Sequence, residues 1–209
     1  MPEVPEPLRG RFVVHVRLAH LGDPHEADEL IAPIRAAAPV VMDLVGTMPT
    51  TETDRVHADP DHPVPAHERG ALLTSLDDAT LEALLQVAGP ASGTPALMVE
   101  VRQLGGALGR PGPWPDAVGA RDAAFSLFAV GLLAGPGADV VGRAVDDLVA
   151  ALTPHCTGRA FVNFHGRLRS DDDRASCWRQ DTYQRLQQTK RAHDPANMFR
   201  FGHAVAMPA

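Results

Sequence analysis

The uncharged run AAFSLFAVGLLAG, residues 123–135, constrains this chain more than any other feature. It is shorter than the ~20 apolar residues needed to cross a bilayer, so no membrane is expected as a partner. Its Phe, Leu and Val content, closed by Gly-Pro-Gly, reads as a buried strand. A buried strand needs cover, and the next segment supplies it. GADVVGRAVDDLVAALTPH has helical spacing, with Val140, Val141, Ala144, Val145, Leu148 and Leu152 on one side.

Other segments repeat the pairing of strand and helix. RFVVHVRLAH (11–20) and VVMDLVGTM (40–48) are rich in β-branched residues and read as strands. Between them, Asp23 and Pro24 predict a helix start and Pro39 its stop. GALLTSL reads as a strand, and DDATLEALLQVAG as a helix capped by Asp77 or Asp78 and closed by Gly89. PALMVEVRQL gives a strand with Met98, Glu100 and Arg102 on one face and Leu97, Val99 and Val101 on the other. RAFVNFHG (159–166) reads as the last strand, and a terminal helix runs from a cap near Asp181 to Asp194-Pro195. Helices do not alternate strictly with strands. The expected class is therefore α+β, a mostly antiparallel sheet flanked by helices on one face.

Charge and chemistry narrow the function. The net charge of -7, with 26 acidic and 19 basic residues, disfavours nucleic acid as a partner. The leader MPEVPEPLRGRF lacks a basic n-region and an apolar h-region, so no signal peptide is expected and the cytoplasm is the expected compartment. Cys156 and Cys177 form no disulfide framework or CxxC site. His57, His62 and His67 fall in a proline-rich loop over 49–69, near Asp59, Asp61 and Glu68. Their spacing of five does not suit a helical metal pair, so they read as solvated and no metal is assigned. GGALGRPG departs from both nucleotide-loop patterns and reads as a turn. No serine sits in a nucleophile elbow. Glu100 and Arg102 line either a polar pocket or an open sheet face.

The tail is more specific. Trp178, Tyr183, Arg185-Leu186, Lys190, Asp194-Pro195, Asn197 and Phe199 resemble the C-terminal signature of the berberine-bridge-type FAD-linked oxidases. FVNFHG (161–166) resembles that family's Y-x-N-Y strand, and residues 105–127 its GGA…R-P…R segment. The resemblance spans about 11–205. It divides the chain into a polar leader (1–10), a substrate-binding-type domain (11–175) and a C-terminal helix and tail (176–205).

The resemblance implies the substrate-binding half of a two-domain flavin oxidase, of a kind that removes hydride from alcohols, sugars or natural-product scaffolds.

 On this resemblance, the family's flavin-binding half, with its covalent attachment residues, is expected to lie outside these 209 residues. The returning tail would dock on that half, with Met198, Phe199 and Phe201 as packing anchors. Small-molecule substrate would meet Glu100, Arg102 and Arg121, and Asn163 and Asn197 would lie near the cofactor. FAD is expected only where a partner protein supplies its site; a homodimer through the tail is the other partner expected.

This sequence also departs from the pattern. Both tyrosines of the family strand are phenylalanines here, Phe161 and Phe164, which cannot exchange a proton. His165 is the one catalytic candidate, although on a strand it would point away from Phe164, towards the side of Asn163. Two functions follow: the substrate-binding half of an oxidase, or a flavin-independent enzyme or binding protein that retains the sheet pocket.

Overall fold

The computed structural model describes residues 5–57 and 62–207, so part of the leader, and Asp59 and Asp61, lie outside the described residues. The chain divides into two compact units, Met1–Pro63 and Val64–Ala209.

The first unit is built on α1, Pro24–Ala37. The Asp23 carboxylate accepts the His25 N–H at 2.8 Å, and Pro24 occupies the first helical position, as predicted. Arg35 then binds Asp28 at 3.2 Å and Asp43 at 2.7 Å, tying the last turn to the chain that follows. Neither 11–20 nor 40–48 is a strand. Strand-forming residues favour extended backbone, but a strand exists only where a neighbour takes its N–H and C=O groups. Without such a ladder, Val14 and Leu44 are each 81% exposed. A 3-10 helix, Thr50–Val56, occupies part of the predicted loop.

In the second unit, β1 (Ala66–Leu73), β2 (Met98–Gln103) and β3 (Phe125–Leu132) form an antiparallel sheet in the order β1-β3-β2. The apolar run is thus the central strand, which explains why it carries no charge. One sheet face packs beneath α2 (Asp78–Ala88) and α3 (Ala138–Ala151). Leu73, Leu127, Ala129, Val145, Leu148, Val149 and Leu152 make that core, joined by Val99 and Val101. The architecture is the expected α+β one. Val140, expected on the buried side of α3, is exposed, and Val149 is buried instead.

The opposite face carries a smaller cluster, in which Leu72 meets Ala120, Ala123, Leu104 and Phe161. Two further helices, α4 (Asp171–Ala175) and α5 (Gln180–His193), lie towards the C-terminus. The α4 helix begins with a capping box between Ser170 and Asp173. Asp181 falls in the first turn of α5 and does not cap it. Among the described residues no helix is long and apolar enough to cross a membrane.

Residues 159–166 do not form the predicted last strand. The chain runs beside β1 only as far as Arg159, whose carbonyl accepts the Leu72 N–H at 3.0 Å. It then turns, with the Phe164 N–H donating to the Phe161 carbonyl at 2.9 Å. Gly166 ends the turn with φ +82°. Two glycines let this turn lie against β1. A methyl group on Gly70 would stand 2.1 Å from the Phe164 carbonyl oxygen, and one on Gly166 would stand 1.9 Å from the Glu68 oxygen.

Candidate functional site

Strand register brings the site together. Across the face opposite the helices, Gly70, Phe128 and Glu100 form one row, and Leu72, Ser126 and Arg102 the next. Glu100 and Arg102 share a face because they are two residues apart, and they pair at 2.6 Å. Phe164 comes down from the turn. Its ring meets Phe128 edge-on, with centroids 5.1 Å apart, and the Arg102 guanidinium lies 5.2 Å from its centroid. The result is one carboxylate, one guanidinium and two aromatic rings, with no net charge. Such a set suits a neutral ligand with a hydroxyl group, which can donate to Glu100, accept from Arg102 and rest an apolar side on the rings.

The remaining sequence candidates lie elsewhere. Arg121 binds the Leu108 carbonyl at 2.9 Å and Asp116 at 2.5 Å, pinning the loop between β2 and β3. Asn163 is exposed at the turn, whereas His165 is buried at 7% exposure, so the two do not share a face. Alternation fails here because the segment turns. Asn197 sits in the tail with φ +51°, and its N–H donates to the Asp194 carbonyl at 2.9 Å.

Beside the turn, Asp146 of α3 gathers His67 Nε2 at 2.9 Å, Arg169 at 2.8 Å and Arg69 Nε at 3.4 Å. His67 is therefore a half-buried strand residue and not the solvated loop residue expected. Burial pushes the Asp146 carboxyl up, but hydrogen bonds from Arg169 and His67 outweigh it and hold the group below the usual carboxylate range. No group of three metal-ligating side chains occurs among the described residues. Two open clefts, one along α2 beside Leu81 and Leu85 and one between Arg159 and Arg179, contain none of the sequence candidates.

The tail is an ordered loop. Lys190 donates to Asp194 and, at 2.7 Å, to the Phe199 carbonyl. Asp194 accepts the N–H groups of Met198 at 2.7 Å and Phe199 at 3.1 Å. The hydrogen bond from Lys190, together with these N–H groups, outweighs burial and lowers the Asp194 pKa. Met198, Phe199 and Phe201 remain exposed, Phe199 at 75%. Beyond them, His203 Nε2 meets the Gly166 carbonyl at 2.7 Å, and the Ala206 N–H donates to the Tyr183 hydroxyl at 3.4 Å.

Gly70 and Phe128 are site residues that the sequence reading missed. An isolated glycine in a strand pattern was the available signal, since it marks a close backbone approach.

Residues 160–206 match the family model "Berberine and berberine like". No curated protein matches the chain. Among solved structures, BBE-like 1 of Physcomitrella patens aligns with a TM-score of 0.67 at 16% identity, over 90% of this chain and 43% of its own. The 6-hydroxy-D-nicotine oxidase of Arthrobacter nicotinovorans gives 0.67 at 19% identity, over 90% and 43%. A chitooligosaccharide oxidase gives 0.66 at 14% identity, over 90% and 45%. The chain thus shares their fold while spanning less than half of their length, and its C-terminal segment resembles the berberine-bridge-type oxidases.

Proposed function

We propose that this chain is the substrate-binding half of a berberine-bridge-type FAD-linked oxidoreductase. It works with a separate flavin-binding protein on a small molecule, in bacterial secondary metabolism in the cytoplasm. One observation carries the reading. The family match covers both the turn over the sheet site and the exposed tail, and the two are joined by the contact of His203 with the Gly166 carbonyl. Met198, Phe199 and Phe201 supply an apolar contact for the partner.

Berberine-bridge-type oxidases use FAD, but the described residues do not make a dinucleotide site. A pyrophosphate needs converging backbone N–H groups, commonly at a helix N-terminus. Gly105 and Gly106 both have positive φ, yet no helix follows them, and Asn163 is exposed on its turn. The chain's own residues bind and orient: Arg102 and Glu100 hold a ligand hydroxyl, and Phe128 and Phe164 exclude water from one side of it.

The chemistry of Phe164 favours a second reading, a flavin-independent enzyme or binding protein. The ring packed on Arg102 carries no exchangeable proton, and His165 is buried. Absorbance from the purified chain and fluorescence titration with FAD and FMN separate the two. Flavin bound tightly by the chain alone would overturn the need for a partner. A colourless chain that captures a flavoprotein through its tail supports the oxidase half, and a colourless chain that binds ligand without one supports the second reading. Under either, Arg102→Ala is expected to weaken binding of aryl alcohols such as benzyl alcohol about tenfold or more, the loss of one charged hydrogen bond. Ligand-observed NMR checks this.

A further inference from the structure

We propose that the 161–166 turn is a proton-operated latch: a proton taken up by His165 drives the turn off β1 and lifts Phe164 from Phe128 and Arg102. The inference concerns the turn alone and does not require an oxidase activity.

The His165 ring is buried, and its Nδ1 has no hydrogen-bond partner among the described residues. Three charged or titratable groups act on it: Arg69 from β1, Asp173 from α4 and His203 from the tail. Asp173 is the favourable neighbour, but its carboxylate already accepts the N–H groups of Arg169 at 2.7 Å and Ser170 at 3.2 Å. Asp146 is likewise shared among His67, Arg69 and Arg169. A proton on His165 would thus lie in the interior beside the Arg69 guanidinium, with no acceptor for one of its two N–H groups. Burying such a charge unpaired costs more than exposing it.

The turn is the element free to yield. Its hold on the rest of the unit includes the bridge between Gly166 and Arg69, the contact of His203 with the Gly166 carbonyl, and the packing of Phe161 and Phe164. His203 can keep donating to that carbonyl when protonated, but it then adds a second positive charge near His165. Phe164 sits one residue before His165, so expelling the imidazole moves the ring that covers Arg102.

The direction follows from the balance of groups. Burial first, and then Arg69, lower the His165 pKa from its ordinary value, with His203 adding to them; Asp173 and a hydrogen bond to the residue's own backbone oppose them only in part. The neutral ring's contribution is complete above about pH 6.5 and is lost as the pH falls below it towards the folded-state value. The latch is closed at neutral pH and opens in acid.

The test places 4-fluorophenylalanine at position 164 of the full chain and follows its 19F resonance from about pH 7.5 to about pH 4.5, with far-UV circular dichroism in parallel. The ring signal is expected to move to a solvent-exposed value in one titration while the dichroism holds. His165→Asn flattens that titration, and Arg69→Gln raises its midpoint. Carbon-13 histidine spectra of the unsubstituted chain keep the test valid if His165→Asn fails to fold: His165 must then titrate with the same midpoint as the fluorine signal. A static ring, an unchanged titration in His165→Asn, an unmoved or lowered midpoint in Arg69→Gln, separate midpoints, or loss of dichroism along the same curve would each overturn the proposal.

Discussion

Gly70→Ala is expected to destabilise the protein by about 3 kcal/mol, the upper range for forcing a group into filled space. In a chain of this size that lowers Tm by roughly 10 °C. The added methyl would stand 2.1 Å from the Phe164 carbonyl oxygen, a backbone atom that cannot rotate aside as a side chain could. Either β1 bends or the turn lifts. Gly166→Ala meets the same obstacle from the other side, 1.9 Å from the Glu68 oxygen, and also requires alanine at φ +82°. Since either substitution displaces the same turn, the double variant should cost less than the sum of the two. Thermal melts of the three variants check this. A Gly70→Ala protein that melts with the parent would show that the turn does not lie on β1.

Leu127→Ala is expected to cost about 3 kcal/mol or more through the cavity it leaves. Leu127 is 0% exposed at the centre of the sheet, packed with Leu73, Val145, Leu148 and Leu152. The loss falls on the helix-covered face. Denaturant titration should therefore show a lower midpoint with the same slope, while the environment of Phe164, on the other face, is retained. Comparable stability losses in Gly70→Ala and Leu127→Ala would thus separate by ligand binding, which only the first should weaken.

Local rules made much of the fold legible. Asp23 with Pro24, Asp77, and the Asp194-Pro195 stop act at the helix ends where the sequence places them. Alternation in β2 separated Val99 and Val101 from Glu100 and Arg102, and the structure packs the first pair against the core and pairs the second on the other face. What failed was pairing. Residues 11–20 and 40–48 have strand composition, but composition does not say whether a neighbour will meet them. The start of β1 was obscured because the polar side chains of His67 and Arg69 turn to Asp146, a contact 79 residues away in the case of His67. The turn at 161–166 was misread because its shape depends on Gly70, far away in sequence. In contrast, α4 was missed although Ser170 and Asp173 stand at capping-box spacing.

The clamp in the tail has a consequence for chemical modification. Lys190 is the single lysine among these 209 residues, and its side chain is only 11% exposed. The other basic residues are arginines, so amine-directed acylation or crosslinking has one side-chain target, and that amine is already engaged by Asp194 and the Phe199 carbonyl. Acylating it would remove the charge that holds Asp194 in place, leaving Phe199 without the bond that orders its carbonyl. A surface rich in guanidinium groups is thus nearly silent to lysine chemistry, and the one site that can respond is the one that shapes the loop.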